Sequence, residues 1–104
     1  MKICYLTKSG TIILENGAKQ SEIELTKKQN KILLYLLENK NKVCFYEDIS
    51  REIYDEDICF DDMRIKTFVA RLRKKVNNIF EIKNKTGMGY ILKSIKGEIE
   101  YVEN

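Results

Sequence analysis

Histidine is absent from this chain of 104 residues. That excludes Ser-His-Asp and Cys-His catalytic arrangements and zinc sites of mixed Cys and His ligation. Cysteine is scarce and scattered. Cys4, Cys44 and Cys59 are odd in number, widely spaced and form no C-x-x-C pair, which makes a poor metal site. They read as free thiols, buried or half-buried, in a reducing compartment. The phosphate-cradling patterns G-x-x-x-x-G-K-[ST] and G-x-G-x-x-G are missing. The one Gly-rich stretch, "TGMGY" at 86–90, has a hairpin-like context instead. The expectation is a protein without metal, cofactor or catalytic centre.

Proline is absent too, and there is no internal repeat or low-complexity run. The longest apolar run, Ile32 to Leu37, falls far short of the roughly 20 residues that span a membrane. The opening "MKICYLTKSG" has no apolar stretch of the secretory kind. These features predict a soluble cytoplasmic protein with no membrane partner, folded as one domain over residues 1–104.

Charge, by contrast, is plentiful and unevenly placed. The formal net charge is +3, yet residues 1–60 are close to balance. Residues 61–96 carry ten basic side chains against three acidic ones, and residues 97–104 add three Glu. A basic second half on a near-neutral first half suggests a polyanion-binding face. Lys is common throughout and says little by itself. Arg says more: of the four in the chain, Arg64, Arg71 and Arg73 fall within ten residues. Its planar fork suits phosphates and guanine edges.

The pattern of elements predicts an α+β fold. Residues 1–25 read as short strands, "KICYL", "TIIL" and "EIEL", with turn signals at Ser9-Gly10 and Asn16-Gly17; they form a small antiparallel sheet. Thr26 and Gln29 have capping-box spacing and start a helix that ends near Lys40. Ile32, Leu33, Leu36 and Leu37 fall at helical spacing, and Leu34 and Tyr35 widen that stripe, so the helix is expected to be buried on most sides. A second helix is predicted from Tyr46 to Tyr54 and a third from Asp62 to Asn77. The helical unit occupies 26–78. A hairpin with strands "IFEIK" and "YILKSI" occupies 79–96, and the tail, 97–104, is either a further strand or frayed. Three helices and a hairpin behind a sheet is the plan of a winged helix-turn-helix.

The third helix can be read face by face at 100° per residue. Ile65, Phe68, Val69, Leu72 and Val76 make the face toward the core. Opposite lie Met63, Lys66, Thr67, Ala70, Arg71 and Lys74, with Arg64 beside Arg71 and Arg73 and Lys75 on the shoulders. An ordinary solvated helix mixes signs in i,i+4 pairs. This one has no acid between Met63 and Val76, so its cations repel one another unless an anion neutralises them. Small Thr67 and Ala70 permit close approach, and their methyl groups can meet a thymine methyl. Asp61 and Asp62 stand where they oppose the helix dipole. On the hairpin, Lys83, Lys85 and Thr86 flank Gly87 and Gly89, where a tight turn is expected.

The stretch from Leu25 to Tyr54, then "VARLRKKV" and "IKNKTGMGY", resembles the OmpR/PhoB-type winged-helix effector domain of bacterial response regulators. The most specific pieces are "RLRKKV" and the G-x-G-Y of Gly87 to Tyr90. The resemblance implies sequence-specific binding of double-stranded DNA in transcription regulation, with the third helix in the major groove and the wing on the adjacent minor groove. The matching positions are Arg64, Lys66, Thr67, Ala70, Arg71, Arg73 and Lys74 on the helix and Lys85, Thr86 and Gly87 on the wing. Tyr54 falls at a position near the DNA backbone. Asp55, Glu56 and Asp57 fall in a loop that often touches RNA polymerase. The chain departs from the family at Phe45, where Ser is a common helix cap, at Met63 and Ala70, where basic residues are common, and at Lys85, where an apolar residue is usual. The resemblance further implies a tandem dimer on DNA and either a stand-alone regulator or an effector domain that belongs with a receiver domain. The alternative is a winged-helix interaction module that contacts RNA polymerase or another regulator.

Overall fold

The computed structural model describes residues 1–54 and 62–104. Within them the chain runs β1 (Lys2–Leu6), β2 (Thr11–Asn16), β3 (Lys19–Glu24), α1 (Lys27–Glu38), β4 (Cys44–Phe45), α2 (Tyr46–Ile53), α3 (Asp62–Val76), β5 (Phe80–Lys85), β6 (Gly89–Ile95) and β7 (Glu98–Val102). The described strands form two sheets. One has the order β3-β2-β1-β7 and the other β4-β6-β5.

The N-terminal strands pair antiparallel, as their turn signals predict. The tail is ordered and supplies a fourth strand, β7, which lies parallel to β1 with Tyr5 beside Tyr101. Its end is tied down. Val102 O accepts from Thr7 N at 2.9 Å, and Asn104 Oδ1 accepts from Lys8 N at 3.1 Å and Ser9 N at 3.3 Å. Ile3, Tyr5 and Ile12 bury one face of this sheet. The Tyr5 hydroxyl donates to Asn30 Oδ1, and Asn30 Nδ2 donates to Thr7 O at 2.8 Å, which fastens the sheet to α1.

The Thr26 capping box forms with both bonds in place. Gln29 N donates to Thr26 Oγ1 at 3.2 Å and Thr26 N to Gln29 Oε1 at 2.9 Å. Ile32, Leu33 and Leu36 are fully buried, whereas Leu34, Tyr35 and Leu37 are only half-buried; α1 therefore keeps one open side, contrary to the wider burial its sequence suggested. On α2, Glu47 and Asp48 in the first turn oppose the helix dipole, and Ile49 and Ile53 face the core. Phe45 takes the N-cap position and makes no side-chain capping bond there.

The predicted hairpin becomes a three-stranded sheet because β4 joins β6. Gly87 has φ +75° and makes the turn between β5 and β6, where Met88 N donates to Lys85 O at 2.9 Å. Gly89 serves a different purpose. It is buried, and a Cβ there would come within 1.9 Å of the Cys44 carbonyl oxygen. The small strand β4 reaches the sheet only because residue 89 has no side chain.

Two outcomes follow from this packing. Gly89→Ala is expected to cost about 2 kcal/mol or more, because the β4 backbone must move; thermal unfolding followed by circular dichroism reads it as a loss of roughly 8 °C or more. Gly17→Ala meets open space and costs about 1 kcal/mol for its left-handed backbone alone. Burial, aided by the charge of Asp48, pushes the Cys44 thiol from 9.0 up to about 11. The folded state then holds that proton more tightly than the unfolded state. Its contribution to stability is complete below about pH 9 and is lost as pH rises toward about 11. Tyr5, raised by burial, acts in the same sense. Denaturant midpoints should therefore fall across that alkaline window, and Cys44→Ala should flatten part of the decline.

Candidate nucleic-acid interface

The geometry of the basic face starts with its back. Ile65, Val69, Leu72 and Val76 are buried to within 1% of full exclusion, which fixes the rotation of α3 about its axis. Phe68, expected on the same face, is half-buried at its margin. Everything else follows from the 100° step. Met63, Arg64, Lys66, Thr67, Ala70, Arg71, Arg73 and Lys74 are all exposed. A surface hollow lined by Lys66, Thr67, Ala70, Arg71 and Lys74 runs along the centre of this face. A neighbouring one is lined by Met63, Arg64, Thr67, Phe68 and Arg71.

The four arginines fall into two groups. Arg51, on α2, donates to Glu47 at 2.7 Å and Asp48 at 3.1 Å. Among the described residues, Arg64, Arg71, Arg73 and Lys74 have no carboxylate within ion-pair distance. Cations close together in sequence without counter-charges raise the local potential, and an anion lowers it. Thr67 has its hydroxyl hydrogen engaged, donating to Met63 O at 2.9 Å. It therefore offers a methyl group and an accepting oxygen outward, and no free donor.

Two flanks border the face. On one, Lys66 Nζ stands 5.5 Å from the centroid of the Tyr46 ring. Tyr46 packs edge-on against Tyr90 with centroids 5.7 Å apart, and its hydroxyl donates to Asn84 Oδ1 at 3.4 Å. Tyr46 N donates to Met88 O at 3.1 Å. The start of α2 thus links α3 to the wing, whose tip residues Lys85, Thr86 and Gly87 are exposed. Burial raises the pKa of the Tyr90 hydroxyl, and Arg73 is near enough to pull against that rise.

On the other flank stand α1 and the end of α2. Lys75 is exposed like its neighbours but is engaged within the fold. Its ammonium donates to Glu24 O at 2.8 Å and to Gln29 Oε1 at 2.9 Å, so it joins α3 to the capping box of α1. Tyr54 closes α2 as its C-cap. Its hydroxyl oxygen is buried and has no hydrogen-bond partner among the described residues. That hydroxyl is turned away from solvent, and Lys28 Nζ stands over its ring at 5.1 Å. Lys28, Tyr46 and Asn84 were not singled out in the sequence. They belong to other elements, and no periodicity connects them with α3. Asp55, Glu56 and Asp57, together with Asp61, lie outside the described residues.

Three helices with a basic third helix, a hairpin linked to it through α2 and a sheet packed on α1 define a winged helix-turn-helix domain. Residues 20–92 match the family model described as "Transcriptional regulatory protein, C terminal", and the chain belongs to that family. Over 77 residues it is 35% identical to the sensory transduction protein BceR of Bacillus subtilis, covering 71% of this chain and 33% of that protein. The matched segment of the chain spans about a third of the length of the curated relatives it matches. Among solved structures it is similar to the DNA-binding domain of Bacillus subtilis CssR, with a TM-score of 0.70 and 28% identity over 80% of this chain and 90% of that one. The C-terminal domain of the nisin resistance regulator NsrR, a lantibiotic response regulator, gives a TM-score of 0.66 and 29% identity, covering 84% of this chain and 87% of that one.

Lys75→Ala is expected to lower stability by about 1 kcal/mol through loss of two charge-assisted bonds on a largely exposed side chain. Urea denaturation measures this, with the m-value unchanged.

Proposed function

We propose that this domain regulates transcription by binding duplex DNA, with α3 in the major groove and the β5–β6 wing on the neighbouring minor groove and backbone. The observation that carries this reading is the outer face of α3. It is cationic, its Arg64, Arg71, Arg73 and Lys74 have no carboxylate partner among the described residues, and it is small at its centre, while its other side is locked into the core. A helix about 10–12 Å across fits a major groove about 12 Å wide. Arg71, Arg73 and Arg64 supply planar forks for guanine edges or phosphates, and Lys66 and Lys74 supply point charges. Thr67 and Ala70 supply methyl contact. Lys85 and Thr86 reach the backbone from the wing, where Gly87 makes the turn. The domain works in the cytoplasm, without cofactor and without catalysis.

The matched segment is about a third of each relative, and the relatives are about twice as long as this chain, which supports a context in which a receiver domain controls this one. Copies that bind side by side on DNA belong to the same reading. Contact with RNA polymerase through Asp55, Glu56 and Asp57 belongs to the same reading.

Arg71→Ala or Arg73→Ala is expected to weaken duplex binding by about 1–3 kcal/mol where the fork meets a base edge. Fluorescence anisotropy over a salt series checks it, and the affinity of the parent should fall steeply as salt rises. Unchanged affinity in both variants would overturn the face.

A further inference from the structure

The first turn of α1 holds Lys27 and Lys28 and no acidic residue. The positive end of the helix dipole disfavours cations there, so the placement is costly for an isolated domain. Lys28 is also held in position. Its Nζ lies 5.1 Å from the centroid of Tyr54 and 5.1 Å from that of Phe68, within the range of cation–π attraction. Among the described residues no carboxylate pairs with it. Two aromatic rings flank the ammonium on its inner side, and the residue is otherwise exposed.

This place matters because of what borders it. On α3, Phe68 sits between Arg64 and Arg71, four residues before and three after, and all three line one hollow. The flank bearing Lys66 is turned to Tyr46 and the wing; the flank bearing Arg64 and Arg71 is the opposite one. The Tyr54 hydroxyl is buried, whereas Lys28, whose ammonium stands over the Tyr54 and Phe68 rings, is exposed.

We propose that Lys28 is a phosphate-binding residue that extends the DNA face past Arg64 and Arg71, taking a backbone phosphate on the side of α3 away from the wing. The inference rests on the proposed DNA-binding function of α3. Its role is sequence-independent: it fixes the position of the duplex across α3, while base edges are read elsewhere on the helix.

The test uses the whole chain and a mixed-sequence DNA duplex, with affinity measured over a salt series for Lys28→Met, Lys28→Gln, Lys28→Arg and Arg71→Ala. Lys19→Met, on the exposed start of β3, serves as the control, and a melting curve on each variant establishes folding. Lys28→Met and Lys28→Gln are expected to bind more weakly by about threefold to tenfold at low salt and to reduce the slope of log affinity against log salt by about 0.9, the share of one phosphate. Lys28→Arg should keep both affinity and slope, and Lys19→Met should change neither. A parental slope in folded Lys28→Met and Lys28→Gln, with Arg71→Ala weakened, would overturn the inference and leave Lys28 as a cover for Tyr54 and Phe68. Parental behaviour in Arg71→Ala as well would overturn the α3 reading on which it rests.

Discussion

The rotation of one helix about its axis controls the rest of this molecule. Ile65, Val69, Leu72 and Val76 leave α3 a single way to lie against α1 and α2, since any turn of the helix would expose branched apolar side chains and bury cations. With that angle set, each basic residue has its direction assigned by the helical step alone. The exposed charges therefore cost the core nothing. They are tolerated because the stripe behind them supplies the burial that holds the helix in place. A weaker stripe would let the repulsion among Arg64, Arg71, Arg73 and Lys74 decide the structure.

The helix is also held at both sides, by an aromatic ring on one and by an ammonium on the other. Tyr46 lies between Lys66 and the wing, so α3 and the wing are spaced by a side chain of α2 as well as by the hairpin itself. On the far side, Lys75 grips the capping box of α1. The capping box thus has two duties: it starts a helix, and it offers Gln29 Oε1 to an ammonium from another element. Helix start and interhelical packing are coupled at one oxygen atom.

Features with local causes were legible in the sequence. The stripe on α3, the Thr26–Gln29 box, the turn at Gly87 and the succession of strands and helices each arise within a few residues, where periodicity and capping chemistry speak directly. Features with distant causes were not. Gly89 reads as a turn glycine, yet its reason is the carbonyl of Cys44. Tyr54 falls by resemblance at a position near the DNA backbone, yet its hydroxyl is enclosed and Lys28 stands over its ring. Lys75 reads as one more cation of a basic run, yet its bonds go to Glu24 and Gln29. Side-chain type alone leaves the tail "EIEYV" undecided between strand and frayed end, because its partner is the first strand of the chain.

That last pairing has a consequence for the order of assembly. β1 can join β2 and β3 as soon as all three exist, but its second edge is filled by residues near the opposite end of the sequence. Contacts so far apart form slowly. The helices and the wing have their partners close at hand, so they take shape while one side of β1 still presents open N–H and C=O groups. An open edge of that kind invites pairing with another chain. For a newly made molecule, the interval before residues 98–102 arrive and dock is the time of greatest exposure to misassembly, and the Glu side chains of the closing strand discourage the edge from growing further once it is in place.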